Sequence, residues 1–195
     1  MTKAERTRQF IIEKSAPIFN RKGIAGTAMS DILDATQLAK GSLYVHFENK
    51  EELSYAAVDY NLDSLVNKVS AAIDTQKTAK AKLFAYLDVF ADPLNPPVTG
   101  GCPMLNFGME ADDNDPVVRE KVNTVIEGAQ QSIVALVKKG IASGEFRKTW
   151  EAREFATKMF ALIEGGVMMC RIAKNTKSMR VIIRGLKKEI EEQTL

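Results

Sequence analysis

Apolar residues recur three and four positions apart along almost the whole chain, which is the period of an amphipathic α-helix. No segment alternates between apolar and polar residues for long enough to predict a β-strand. Glycine, proline and capping residues divide the pattern into nine helices. The first helix is predicted over 3–22, the second is short and follows its N-cap Thr27, the third spans 38–45, and the fourth is long and capped by Asn49. The fifth is marked by an apolar stripe over 83–90, the sixth spans 102–111, the seventh extends from Pro116 to a turn over 140–147, and the last two span 150–175 and 177–193. The pattern predicts an all-α fold.

The first three predicted helices are short, and about three residues separate the second from the third. This arrangement is typical of a helix-turn-helix, whose last helix enters a major groove of DNA. On that helix Lys40, Ser42 and Tyr44 are candidates for contacts with phosphates and base edges, and Gly41 would allow a close backbone approach. Lys50, beside the next helix start, is a further phosphate candidate. A small bundle with a solvated polar face has the same pattern, so both interpretations stay open.

Charge and composition narrow the choice of partner. The 195 residues are 45% apolar and 27% charged with a net charge of +2, but the first 50 hold eight Lys/Arg against five Asp/Glu and the remainder hold nineteen against twenty. The basic excess therefore lies at the front, where it favours a polyanion. The longest apolar runs are five residues, against roughly 20 for a bilayer span, and the start has no apolar signal core. Together with only two cysteines, this predicts a cytoplasmic protein without a membrane partner.

Catalytic and metal chemistry have little support in the sequence. The one histidine, His46, makes a histidine-based zinc site or a Ser-His-Asp triad improbable. The acidic run from Glu110 to Asp115 lacks the spacing of a calcium loop and is interpreted as a solvated turn in which Asp115 caps the next helix. We predict no metal, no cofactor and no enzymatic activity. An all-α enzyme is the alternative, which measured turnover would support.

The front of the chain carries the string Gly23-x3-Thr27-x4-Ile32, followed by Lys40-Gly41-Ser42-Leu43-Tyr44-Val45-His46-Phe47-x2-Lys50-Glu51-Glu52-Leu53. Over about 45 residues it resembles the DNA-binding domain of TetR-type (TetR/AcrR family) transcriptional regulators. The remainder resembles the family in layout, a larger helical domain that binds a small ligand and forms the dimer. The resemblance implies a helix-turn-helix domain over 1–50 and an effector-binding and dimerisation domain over 51–195.

The resemblance also implies roles for individual residues. Those expected to contact phosphates are Thr27, Lys40, Tyr44, His46 and Lys50. Those expected on or near the base-reading surface are Thr36, Gln37, Ala39, Gly41 and Ser42. Gln37 departs from the family, which usually has glycine there, so either it adopts a positive φ or the turn has another geometry, and its amide is also able to pair with adenine. For His46 the alternative is a packed residue at a helix end.

Aromatic and methionine side chains are scattered over the later helices. Such residues line apolar ligand cavities, although each alone fits an ordinary core, and the expectation of a pocket rests on the family. The candidates are Phe84, Phe90, Cys102, Met104, Phe107, Met159, Phe160 and Met168. The segment Gly101-Cys102-Pro103-Met104-Leu105-Asn106 more weakly resembles one in drug- and electrophile-responsive members. Cys102 is accordingly either a reactive sensor or a small buried apolar residue.

The last two predicted helices are expected to form a four-helix bundle with their copies in a second chain. Gly165 and Gly166 would allow close helix approach, and Ile183, Leu186 and Ile190 give the last helix an apolar stripe, although packing within one chain is the alternative. Together with these patterns, the resemblance implies a repressor that binds a palindromic double-stranded DNA operator as a homodimer and is released by a small, largely apolar inducer. A DNA-binding protein without an effector, and an activator, stay open.

Overall fold

The structure is a computed structural model that describes residues 1–195. It contains nine helices and no strand: α1 (Lys3–Lys22), α2 (Met29–Thr36), α3 (Lys40–Tyr44), α4 (Lys50–Asp74), α5 (Ala79–Val89), α6 (Pro103–Ala111), α7 (Pro116–Ala142), α8 (Ala152–Ala173) and α9 (Lys177–Glu192). The predicted all-α fold and its number of helices are confirmed. No helix combines the length and apolarity needed to cross a bilayer.

Helix ends agree with the predictions where a neighbouring side chain forms the cap. Asn49 Oδ1 accepts the Glu52 amide at 2.8 Å, and Asp115 Oδ1 accepts the Val117 and Val118 amides, each at 3.0 Å. The expected cap at Thr27 is wrong by one residue, because Ala28 is the N-cap of α2 and the Asp31 carboxylate accepts its amide at 3.0 Å. The Thr27 hydroxyl instead donates to the Gly23 carbonyl at 2.6 Å.

Two other boundaries differ from the predictions. α3 is shorter than 38–45, because the turn after α2 extends to Ala39, which is the N-cap of α3. α7 continues to Ala142, past the turn predicted to begin at residue 140. Gly140 is buried inside this last turn of α7, where it lies against the Phe146 ring.

The chain divides into two compact units. The first unit comprises residues 1–65 and 98–123, and the second comprises 66–97 and 124–195, so α4 and α7 contribute to both. In the first unit α1 packs against α2 and α6. Its core side chains, all with at most 1% of their surface exposed, include Ile11, Phe19, Ile32, Leu43, Phe47, Leu53 and Phe107.

In the second unit α9 packs against α8 and α5. An aromatic cluster fills the loop between α7 and α8, with the Phe146 and Trp150 rings 4.9 Å apart and the Trp150 and Phe155 rings 4.6 Å apart. Leu186 and Ile190 are buried, so this part of the α9 stripe packs within its own chain.

Gly140 and Gly128 lie on the same helix and form a matched pair for testing the packing at the end of α7. A Cβ at position 140 would overlap the Phe146 ring and lie 3.0 Å from the Ala79 Cβ, whereas nothing lies within 4 Å of a Cβ at position 128. Gly140→Ala is therefore expected to lower the free energy of unfolding by about 2 kcal/mol through overpacking. Gly128→Ala should raise it by about 0.5–1 kcal/mol, since alanine favours the helix. Urea denaturation measures both, and equal values for the two variants would contradict this packing.

Candidate nucleic-acid interface

The turn between α2 and α3 depends on one residue in the left-handed region. Gln37 has φ 56° and ψ 25°, and its amide donates to the Leu33 carbonyl at 2.8 Å, which ends α2. The Gln37 side chain donates from Nε2 to the Asp34 carbonyl at 2.6 Å. Of the alternatives in the sequence, the positive φ is the one found. A side chain other than glycine is strained in this conformation, and the hydrogen bond to Asp34 partly offsets that cost.

α3 presents one polar face outward and one apolar residue inward. Leu43 is fully buried, while Lys40, Gly41 and Tyr44 are exposed and Ser42 is half-buried. No atom lies within 4 Å of a Cβ placed on Gly41, so the backbone there is open to a close approach. We call the outward residues of the turn and of α3 the recognition surface, which consists of Gln37, Ala39, Lys40, Gly41, Ser42 and Tyr44.

The start of α4 is held by contacts with α1. The Glu52 carboxylate accepts the Glu48 amide at 2.8 Å and the Arg8 guanidinium at 3.1 Å, and in this order these two contacts lower the pKa of Glu52. The Arg8 guanidinium also lies over the buried Phe47 ring, 4.5 Å from its centroid. These contacts place Lys50 at the first position of α4, directly after the α3–α4 connection.

Charge is distributed unevenly over these helices. The acidic groups Asp31 and Glu52 are paired with Lys22 and Arg8, whereas Lys40 and Lys50 form no ion pair. Lys40 Nζ instead lies 6.0 Å from the centroid of the Tyr44 ring. The basic groups at the two ends of the α3 region are therefore available to a polyanion.

Three further residues of the predicted DNA-contact set are less accessible. Thr27 and Thr36 are buried, and the Thr36 hydroxyl donates to the Ile32 carbonyl at 2.8 Å, much as Thr27 donates to Gly23. His46 is half-buried at the end of the α3 region. Contact of these three side chains with DNA stays a prediction.

The residues that support this surface have no signal in the sequence. Arg8 and Glu52 are 44 positions apart, and Glu110 on α6 contacts the α1–α2 turn across 86 positions. No local pattern signals such pairs. Val45, which directly follows Tyr44 of the recognition surface, is 80% exposed and is a further residue that the helical pattern does not indicate.

The predicted ligand-binding residues fall in both units. Cys102, Met104 and Phe107, at and within α6, are buried in the first unit. In the second unit Phe90 and Met159 are buried, Phe84 and Phe160 are half-buried, and Met168 is 47% exposed. Ligand binding by these eight residues stays a prediction.

A groove of about 540 Å³ lies between α7 and α8 in the second unit, and none of the eight predicted ligand residues lines it. Most of the residues that line it have polar or charged side chains: Glu127, Gln130, Gln131, Val134, Ala135, Lys138, Arg153, Ala156 and Thr157.

Comparison with known proteins places both parts of the chain among bacterial regulators. Residues 11–57 match the family described as bacterial regulatory proteins, tetR family, and residues 79–186 match the family described as tetracyclin repressor-like, C-terminal domain. Crystal structures of TetR-family transcriptional regulators from Cytophaga hutchinsonii and Chloroflexus aurantiacus J-10-FL are each 38% identical, with a TM-score of 0.94 over 100% of this chain and 98% of theirs. The HTH-type transcriptional repressor DhaR of Mycobacterium sp. (strain GP1) is 25% identical over 88% of this chain and 86% of its own length.

The Asp31 carboxylate provides a pH test of the helix-turn-helix. Its hydrogen bond from Lys22 Nζ at 2.7 Å, and then the bond from the Ala28 amide, lower the pKa of Asp31 below its ordinary value. A lowered pKa in the folded state means that the stabilisation is present at neutral pH and is lost as the pH falls below about 4. Asp31→Asn should therefore be less stable than wild type at pH 7, and the difference should shrink towards pH 3.

Urea denaturation at the two pH values measures that difference. Asp34→Asn is the matched control, because the Asp34 side chain on the same helix makes no hydrogen bond or ion pair. A stability difference between wild type and Asp31→Asn that is the same at both pH values would contradict the assignment.

Proposed function

This chain belongs to the TetR family of bacterial regulatory proteins, a transcriptional regulator with a DNA-binding helix-turn-helix and not an enzyme, and on that premise we propose that it is a ligand-responsive repressor. In this proposal it acts in the cytoplasm, binds a palindromic operator as a homodimer, and is released by a small, largely apolar inducer. Residues 1–50 form the DNA-binding domain, and residues 51–195 form the effector-binding and dimerisation domain.

The observation that carries the proposal is the recognition surface together with Lys40 and Lys50, two cations that form no ion pair. α3 is anchored by buried Leu43, and it exposes an open backbone at Gly41 between Lys40 and Tyr44. In a major groove, the open backbone lets α3 lie close to the base edges, where Ser42 and Gln37 are hydrogen-bonding groups suited to reading them. The phosphates on either side of the groove are then contacted by the side chains of Lys40, Tyr44, His46 and Lys50.

An exposed apolar surface on the last two helices supports the homodimer. Leu162, Met168, Met169 and Ile172 on α8 are between 40% and 76% exposed, and Val181 on α9 is 58% exposed. Exposed apolar side chains on two helices that pack together are typical of an interaction site. Gly165 faces open space on α8, as close helix approach requires, whereas a Cβ on Gly166 would lie 2.8 Å from Met179 Cε, so that glycine serves packing against α9 instead.

The short length of α3 also favours a dimer. With five residues, α3 contacts few base pairs, and a second copy related by two-fold symmetry doubles the sequence that is read. The two copies of α3 must then be separated by about one turn of DNA or a multiple of it. Binding depends on that separation, because a misplaced α3 loses its phosphate and base contacts together.

Release by an inducer follows from the same dependence on separation. We place the inducer in the domain after residue 50, where it would shift α4. Since α4 begins at Lys50, a shift of its first turn displaces a phosphate contact and the end of the α3 region. A preference of a few kcal/mol for the non-binding state suffices to empty an operator.

Charge removal separates phosphate contacts from base contacts. Lys50→Ala should weaken binding to all duplexes alike and reduce the slope of log K against log salt by about one. Ser42→Ala should instead change the preferred sequence, with little effect on random duplex. Selection of bound duplexes from a random pool, followed by binding titrations at several salt concentrations, measures both effects.

Lys148→Ala controls for the loss of one positive charge, because Lys148 is exposed in the second unit and forms no ion pair. Equal losses on operator and on random duplex for Ser42→Ala would contradict its assignment to base reading. A wild-type chain that selects no duplex would overturn the proposed function itself.

A charge placed in the exposed apolar surface of α8 and α9 tests whether this surface forms the dimer. Ile172→Glu introduces a carboxylate where Ile172 is 76% exposed, and burying that charge between two copies is strongly unfavourable. The variant should sediment as a monomer at concentrations where wild type is a dimer. Val117→Glu, an equivalent change at an exposed valine of α7 in the first unit, should leave the dimer intact. Dimeric Ile172→Glu protein would exclude this face.

A further inference from the structure

The end of α1 leaves backbone groups that another element satisfies. In a continuing helix the Ile24 amide would donate to the Asn20 carbonyl, and the Ala25 amide to the Arg21 carbonyl. The helix stops instead at Lys22, where Gly23 has φ 78° and its amide donates to the Phe19 carbonyl at 2.8 Å. The pairs beyond Gly23 are broken, and their members need new partners.

Two side chains of α6 replace the partners that the Ile24 amide and the Asn20 carbonyl would have had in a continuing helix. Glu110 accepts the Ile24 amide at Oε2, 2.8 Å away, and the Ala25 amide at Oε1, 2.7 Å away. Asn106 donates from Nδ2 to the Asn20 carbonyl at 2.8 Å and to Asn20 Oδ1 at 3.0 Å. Because Asn106 and Glu110 are four residues apart, they lie on one face of α6. We call this arrangement the α6 clamp.

The chain before α6 is fixed to the same end of α1. Asn20 is 2% exposed, and its Nδ2 donates to the Thr99 carbonyl at 3.0 Å and the Gly101 carbonyl at 3.1 Å. A Cβ on Gly100 would lie 2.9 Å from this nitrogen, and a Cβ on Gly23 would lie 2.7 Å from Glu110 Oε2. Two glycines thus allow the close approach. Gly101 and Asn106, the first and last residues of the segment 101–106, both hydrogen-bond to Asn20 and so join this segment to the end of α1.

The turn that Glu110 holds leads directly to α2. Gly23, whose amide ends α1, accepts the Thr27 hydroxyl at its carbonyl, 2.6 Å away. Lys22 donates to Asp31 Oδ1 at 2.7 Å, and Asp31 in turn caps α2 through the Ala28 amide. Since α2 leads through Gln37 into α3, the placement of the Ile24 and Ala25 amides determines where α2, and with it the recognition surface, lies.

We propose that Glu110 is a positioning residue for DNA recognition, which holds the α1–α2 turn through the Ile24 and Ala25 amides and thereby places α3. The inference rests on the proposed function and extends it to the way in which α6 controls DNA affinity. Displacement of α6 by a ligand would withdraw both acceptor oxygens at once. The turn would then lose its fixed position while α2 and α3 stay folded.

Whether DNA affinity rises or falls when Glu110 is replaced distinguishes a positioning role from a purely electrostatic one. Glu110 carries a negative charge, so its removal should on charge alone strengthen binding to DNA. Loss of the clamp should weaken it. Glu110→Ala removes both acceptor oxygens, whereas Glu110→Gln keeps one, and both change the charge equally. Glu120→Ala is the matched control, because Glu120 is exposed on α7 in the first unit and makes no hydrogen bond or ion pair.

The experiment measures binding of the full chain to its selected operator duplex and to a random duplex of equal length. Glu110→Ala should lower operator affinity by about tenfold, because two hydrogen bonds to a charged group are lost, with random-duplex affinity unchanged or raised. Glu110→Gln should fall between it and wild type, and Glu120→Ala should not weaken operator binding. Asn106→Ala, which changes no charge, should also lower operator affinity.

Amide hydrogen exchange is the second readout, and thermal unfolding checks that each variant is folded. In Glu110→Ala the Ile24 and Ala25 amides should exchange faster, with the interior of α3 unchanged. Operator affinity at or above that of wild type in folded Glu110→Ala or Glu110→Gln protein would overturn the inference, as would equal losses on operator and random duplex. If wild type itself selects no duplex, the proposed function fails, which is a distinct outcome.

Discussion

The end of α1 is the constraint on which the DNA-binding part of this molecule depends. Amides and carbonyls released where a helix stops need partners from the protein or from water, and a buried one left unpaired costs about 1–3 kcal/mol. Here a glutamate on α6, 85 and 86 positions further along the chain, and an asparagine, 86 positions further along, supply them. The α1–α2 turn, α2 and α3 all follow from that point. A helix of nine residues, α6, therefore determines the geometry of a surface to which it contributes no side chain.

A second carboxylate that accepts two consecutive backbone amides lies in the second unit. The Glu145 carboxylate accepts the Ala79 amide at 2.8 Å and the Lys80 amide at 2.9 Å, at the start of α5. As with Glu110, one carboxylate holds two consecutive amides across a long stretch of sequence. Acidic side chains in this protein thus locate the ends of helices. In the helix-turn-helix, Asp31 and Glu52 do so while also pairing with Lys22 and Arg8, which leaves the cations near α3 without acidic partners.

The features that could be predicted from the sequence are those set by nearby residues. Helical periodicity located all nine helices, and the caps at Asn49 and Asp115 follow from side chains that reach two or three residues along. The predicted cap at Thr27 is wrong because the Thr27 hydroxyl donates to the Gly23 carbonyl and does not cap α2. The sequence does not decide the positive φ of Gln37, since a non-glycine residue adopts it only when the surrounding structure requires it. The α6 clamp had no sequence signal, because hydrogen bonds between distant elements create no periodicity.

The open space around Gly41 separates what folding requires from what recognition requires. The fold places no demand on a side chain there, and a larger residue would even favour a helix as short as α3. Glycine is thus the less stable choice for the isolated protein and makes sense only against a second surface that comes close. It is also the position at which the range of acceptable operators is open to redesign, because a new side chain would alter the fit to DNA without disturbing the core.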